Sequence, residues 1–425
     1  MSNADSLRQL VGSLVDRAWG DIELKSWPTE YGLDSLSILI FREQCEGVFG
    51  MVIPDDDWAN MCELSHILHF IESHVPKNGR THVPVAQPSQ IPTEPEVRWG
   101  DKYFADRVQI GMPLTGVNNL SENALLKYVG DLRWRHLEKM SGEPSRNFID
   151  GSGHRLYPTF FYVDVFFPEN TSMADFGEND CFDAVDYVSR YGHSIVDGVT
   201  FLLQENSRNA IAASPTSIED AKRCGLPAIR MSNIFVMMFD GAQWLKKGRP
   251  RDGLIDAIEE SAAAPETTLI AKRAETEGYI EYPDDSFVSV TDAPLEFSYE
   301  ILPDRDVNGA GLLYFANYPV FLDLAERDAL RRAKCRWPDE VINKRSTARR
   351  KVAYLNNATW KDKLKIETRL WINCTAHNNC VQVFSVQRMW RRSDDRLMCV
   401  ASTRKLLRGL DATELRTDDK SYQLR

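Results

Sequence analysis

Apolar residues recur at helical spacing over residues 5–19, where Leu7, Leu10, Val11, Leu14, Val15 and Ala18 share one face. A loop holding Trp27 and Pro28 separates them from a second amphipathic stretch at 31–54, whose helix starts near Asp34. A last helix is expected over 64–71. Three to four helices in so short a span make a small all-α bundle of the four-helix kind. Residues 76–97 then carry Pro76, Pro84, Pro88, Pro92 and Pro95 with few large apolar side chains, the composition of an extended, semi-rigid linker.

Beyond residue 105 the period changes. Residues 120–140 read as a long buried helix, with Asn119 as N-cap and Glu122 completing a capping box. β-rich segments follow at 156–167, at 182–203 (interrupted by Gly192 and Gly198) and at 229–239. A connector over 241–284 holds one helix around 254–263. A strand at 296–302 leads into a helix at 311–333, and four strand-like segments follow near 349–357, 363–374, 380–391 and 396–406. A helix followed by an antiparallel meander, met twice, points to two copies of one α+β unit. The expected organisation is a helical domain over 1–78, a linker over 79–104, a first α+β domain with its connector over 105–284 and a second over 285–425.

The chain has 425 residues, 43% hydrophobic and 27% charged, as expected of a soluble, multidomain globular protein. No uncharged apolar run of about 18 residues is present to span a membrane. The N-terminal segment lacks the basic-then-apolar order of a secretory signal, so a cytoplasmic location is expected. Eight scattered cysteines form no CxxC pair and read as reduced thiols, with no metal site implied. Net charge is −11 but unevenly spread: residues 1–80 hold 13 acidic and 6 basic side chains, and residues 331–425 hold 10 acidic and 23 basic ones. The acidic end suits recognition by basic partners, and the basic end suits a phosphorylated ligand. Neither a nucleic-acid nor a membrane partner is expected.

The motif GLDSL at 32–36 places Ser35 at the start of a helix. There a phosphodiester would meet free backbone N–H groups and the positive end of the dipole. With FGMVIPDDDW at 49–58, residues 5–74 resemble acyl and peptidyl carrier proteins. The resemblance implies that a phosphopantetheinyl transferase attaches 4'-phosphopantetheine to Ser35.

The segment FANYPVFLDLAE at 315–326 resembles the central helix of hotdog-fold proteins, which act on acyl thioesters. Where small thioesterases of that fold carry a water-activating aspartate, this chain has Asn308, and a family histidine is replaced by Phe315. Asparagine cannot serve as a general base, but it can donate a hydrogen bond to a thioester or enolate oxygen. NALLKYVGDLRWRHL at 123–137, RLYPTFFYVDVFF at 155–167 and DVNGAGLLYFANY at 306–318 resemble the bifunctional acyltransferase/decarboxylase of leinamycin-type polyketide pathways. That resemblance implies a double-hotdog fold, an active-site tyrosine at Tyr157, and transfer of a decarboxylated methylmalonyl group from coenzyme A to a carrier protein. The accepting carrier, here or in a polyketide synthase, is left open. Arg349 and Arg350 are candidates to hold a coenzyme A phosphate, beside the plainer reading of a solvated basic strand. Tyr162 and Tyr314 compete with Tyr157. On a regular strand Tyr157 and Tyr162 face opposite sides. His193 reads as a turn residue. Two other functions stay open: a hotdog thioesterase or dehydratase acting on carrier-bound chains, and a non-catalytic carrier-docking module.

Overall fold

A computed structural model describes the chain except residues 1, 16–18, 32–34, 55–56, 59, 75–99, 205–214, 240–243, 336, 374–379 and 409–425. It divides into two compact units, residues 1–91 and 92–425.

In the first unit, three helices supply most of the core: α1 (Asn3–Val15), α2 (Ser35–Phe49) and α3 (Leu64–His74). Leu7 and Val11, Phe41 and Cys45, and Leu64, Ile67 and Ile71 stand at helical spacing and are fully buried together with Ile22 and Ile53. The Glu46 carboxylate accepts from Ile53 N at 2.9 Å, which ties the chain leaving α2 back to that helix.

The second unit contains, among the described residues, one sheet of twelve strands built from two repeats. The first repeat runs β1 (Tyr103–Gln109), α4 (Glu122–Ser141), β2 (Tyr157–Phe166), β3 (Cys181–Tyr191), β4 (Ile195–Leu203), a short α5 (Ile218–Cys224), β5 (Ala228–Phe239) and β6 (Trp244–Lys247). A connecting helix, α6 (Glu266–Glu277), and strand β7 (Val288–Ser289) follow. The second repeat runs β8 (Leu295–Glu300), α7 (Tyr318–Arg332), β9 (Arg345–Tyr354), β10 (Lys363–Asn373), β11 (Cys380–Arg391) and β12 (Arg396–Arg408).

The order in the sheet is β1-β3-β4-β5-β2 for the first repeat and β8-β10-β11-β12-β9 for the second. The same connectivity therefore occurs twice. The repeats join edge to edge through the antiparallel pair β2·β9, with Val163 opposite Val352. Each repeat also carries an extra residue in the same place: β2 between Phe160 and Tyr162 opposite β5, and β9 between Thr347 and Arg349 opposite β12. Shared β-bulges at one position mark the two meanders as copies of one design.

Helix α4 lies against the first meander through Leu125, Leu126, Val129 and Leu132. On the same helix, Arg133 is fully buried and donates bidentately to Asp186, both bonds at 2.9 Å, and to the Met231 carbonyl at 2.9 Å. His136 and Thr200 complete the Asp186 shell at 2.9 and 2.7 Å. Gly198 makes room for this: a Cβ there would lie 2.7 Å from an Arg133 nitrogen and 2.1 Å from the Tyr187 carbonyl. Burial alone would raise the Asp186 carboxyl, but Arg133 and His136 hold it down at about 2. Its contribution is complete above the ordinary carboxylate value of 3.8 and is lost as pH falls toward 2. Arg133→Met, which strands Asp186, is expected to cost about 3–5 kcal/mol, seen as a lowered denaturant midpoint. An Arg133→Met/Asp186→Leu double variant should lose less.

Several sequence expectations need correction. The N-cap of α4 is Ser121, whose hydroxyl accepts from Ala124 N, while Asn119 adopts a left-handed conformation (φ 63°) in a two-residue strand. No helix forms at 254–263. The connector's helix is α6, which starts after Pro265 and stops at Gly278 in the left-handed region. The helix expected from residue 311 begins at Tyr318 because Pro319 has no N–H to extend it backwards. The α+β class of this unit agrees with the sequence reading. Among the described residues no helix is long and apolar enough to cross a membrane.

Candidate functional site

A cavity of about 1040 Å³ opens where the two repeats meet. One wall is α4, which presents Gly130, Asp131, Trp134 and Glu138 at helical spacing. A second is the start of β2 with β5, and a third is the loop before α7. Tyr157 on β2 and Asn308 in that loop both line it.

The loop is held by its own polar groups. Asn308 Oδ1 accepts from Ala310 N and Leu312 N, each at 3.0 Å, and Asn308 N donates to the Leu312 carbonyl at 2.8 Å. A bridge between Val307 and Leu313 closes the turn, and Gly311 supplies the left-handed residue (φ 77°) it requires. With the Asn308 oxygen committed, its Nδ2 group is the end left to donate toward a ligand.

Tyr157 is half-buried at the first position of β2, and its hydroxyl has no protein partner among the described residues. Register corrects the expected parity. Tyr157, Thr159 and Tyr162 oppose Val236, Ile234 and Ser232, so all three point to one side of the sheet, because the bulge at Phe161 absorbs one residue. Tyr162 is nevertheless outside the cavity wall. It is buried with Ala274, Ile280, Ala353 and Val400, and burial pushes its phenol well up. Tyr314 does line the cavity, and burial raises its phenol too. Phe160 points inward onto Phe315, ring centroids 4.2 Å apart. Gly130 lets the Phe315 ring sit against α4, where a Cβ would come within 2.8 Å of it.

The expected phosphate pair sits elsewhere. Arg350 is 1% exposed and donates through Nε to Glu122 at 2.7 Å and through Nη2 to Asp323 at 2.5 Å, so its charge is paired inside the protein. Arg349 is held by Asp164 at 3.3 and 3.2 Å. Neither lines the cavity. The cations that do are Arg135, Arg155, Lys247 and Lys272. Sequence reading missed these, although the polar face of α4 at 131, 135 and 138 was visible as a stripe. His193 is exposed in the turn between β3 and β4. Ser35 is the first residue of α2; the preceding residues of its motif lie outside the described residues.

Exchanging the repeats carries this cavity onto a smaller one of about 300 Å³, lined by α7, the start of β9 and the segment before α4. The shared bulge makes Thr347 the counterpart of Phe160. Thr347 donates to Glu122 at 2.8 Å. Lys405 reaches Asp323 at 2.6 Å and Glu326 at 3.1 Å, and Arg345 reaches Glu326 at 2.6 Å. Burial alone would raise Asp323 and Glu326, but the surrounding cations hold both below the usual carboxylate range.

No family model and no curated protein matches the chain. Among solved structures it is similar to a putative oleoyl thioesterase from Lactobacillus plantarum, at 10% identity over 72% of this chain and 96% of that one, TM-score 0.47. It is also similar to a 12:0-ACP thioesterase from Umbellularia californica, at 11% identity over 71% and 93%, TM-score 0.45. A third is an acyl-ACP thioesterase from Bacteroides thetaiotaomicron, at 11% identity over 72% and 98%, TM-score 0.41.

Proposed function

We propose that this chain fuses an acyl carrier domain to a double-hotdog enzyme that decarboxylates a malonyl-type coenzyme A thioester and transfers the acyl group to a carrier thiol. The observation that carries this reading is that Tyr157 and Asn308 line one cavity that is also lined by the apolar side chains of Phe160, Phe161, Ile234 and Val236.

Loss of carbon dioxide breaks the bond between the carboxylate and the α-carbon. The electron pair passes into an enolate whose charge rests on the thioester oxygen. The Tyr157 hydroxyl and Asn308 Nδ2 can donate to that oxygen, and the apolar wall limits competing hydration. A proton from water then fills the α-carbon. In the transfer step the acceptor sulfur bonds to the carbonyl carbon while the same two donors hold the carbonyl oxygen, and the bond from that carbon to the coenzyme A sulfur breaks. Coenzyme A leaves as the thiol, taking up the proton that the acceptor thiol gives up. Ser35, opening α2, suits a phosphopantetheine, which when attached by a transferase supplies that thiol.

Hydrolysis is the second reading, because Asp131 and Glu138 also line the cavity and could activate water. Both are already engaged: Asp131 pairs with Arg135 at 2.9 Å, and Glu138 accepts from Ser145 N at 2.6 Å. Incubating the phosphopantetheinylated protein with malonyl- and methylmalonyl-coenzyme A separates the readings by intact mass. The expected product is an acetyl or propionyl group on the carrier arm. Free acid with an unloaded arm would point to hydrolysis, and unchanged substrate to a non-catalytic docking module.

A further inference from the structure

Arg155 stands two residues before Tyr157, with its backbone fixed by a bridge between Ile149 and Arg155. Its guanidinium carbon lies 4.7 Å from the centroid of the Tyr157 ring, and the side chain lines the cavity. Arg135, on the α4 wall, is neutralised by Asp106 and Asp131, both at 2.9 Å. No carboxylate pairs with Arg155 among the described residues. Stacking on an aromatic face fixes the plane of a guanidinium and leaves its N–H edge open to a planar, two-oxygen acceptor.

We propose that Arg155 reads the free carboxylate of the malonyl-type acyl group and so determines substrate choice in the reaction proposed above, on which this inference rests. Position separates a carboxylate from a phosphate here. The phosphates of coenzyme A are a full pantetheine arm away from the thioester, whereas the malonyl carboxylate is joined to the α-carbon beside it. A cation packed on Tyr157 is therefore at the acyl end when Tyr157 holds the thioester oxygen. The ion pair exists in the bound substrate and disappears with the carbon dioxide. It consequently favours binding of the correct thioester and acts on KM more than on kcat.

Two stable thioethers test this by isothermal titration: S-(2-carboxyethyl)-coenzyme A and its uncharged isostere S-(3-methylbutyl)-coenzyme A. The wild type is expected to prefer the carboxylate, and Arg155→Gln to lose about 10- to 100-fold of affinity for it with little change for the isostere. Arg155→Lys, which keeps the charge without the planar fork, should retain part of the preference. With malonyl-coenzyme A as substrate, Arg155→Gln should raise KM more than it lowers kcat. Equal weakening of both thioethers, or a wild type indifferent to the carboxylate, overturns the proposal. A wild type that binds neither overturns the acyl-thioester reading along with it.

Discussion

Tyr157→Phe is expected to lower carbon dioxide release from a malonyl-type thioester about 10²–10³-fold, the usual cost of removing one donor to a developing oxyanion. The fold should be nearly untouched. The phenyl ring keeps its place under Arg155, and the hydroxyl it loses has no protein partner among the described residues. Tyr162→Phe serves as the control for a buried tyrosine. Its hydroxyl is walled in beside Ala274 and Val400 and has no hydrogen-bond partner among the described residues, so removing it should spare activity. Tyr314→Phe is the sharper comparison, since Tyr314 shares the cavity wall. Release of carbon dioxide and acyl loading, measured across the three variants, assign the role. Full activity in Tyr157→Phe would remove this residue from the mechanism.

Ser35→Ala should abolish attachment of the prosthetic arm altogether. A promiscuous phosphopantetheinyl transferase adds one arm's mass to the wild type and none to the variant; a mass gain that survives the substitution would refute the assignment. The same variant separates the two units chemically. In the proposed reaction decarboxylation needs the cavity and not the arm, so Ser35→Ala is expected to keep releasing carbon dioxide while retaining no acyl group on the chain. If release stops as well, the two activities are not separable in this way.

Much of the scaffold could be read from periodicity. The helices at 5–19, 64–71 and 120–140 appear close to where Leu7, Ile67 and Leu126 predicted them, because their buried faces are long and regular. The strands of the second meander lie within a few residues of the expected segments. The repeat itself was visible as a recurring order of elements, although only the strand pairing reveals that both copies share a bulge.

The site was legible only in part. Tyr157 and Asn308, far apart in sequence, both line one cavity. Their surroundings were not readable. A single inserted residue at Phe161 reversed the side to which Tyr162 points, and alternation has no sign of it in composition. Arg349 and Arg350 looked like a phosphate clamp because a basic run reads alike whether it is solvated or paired. Their partners, Asp164, Glu122 and Asp323, come from distant segments that only the fold assembles.

The joining of both repeats in one chain through β2·β9 has a genetic consequence. In a dimer of identical subunits every substitution appears twice, so a change that suits one pocket is imposed on its mate. Covalent fusion lifts that constraint. Phe160 could be kept in one place while Thr347 occupied the equivalent place, and one pocket could be filled with Arg345, Lys405 and their carboxylates while the other stayed roomy. The two halves of this one polypeptide differ at equivalent positions, one pocket being filled by paired charges and the other left open. Titrated with an acyl ligand, such a chain should saturate at one equivalent per polypeptide, where a symmetric pair of the same fold would take two.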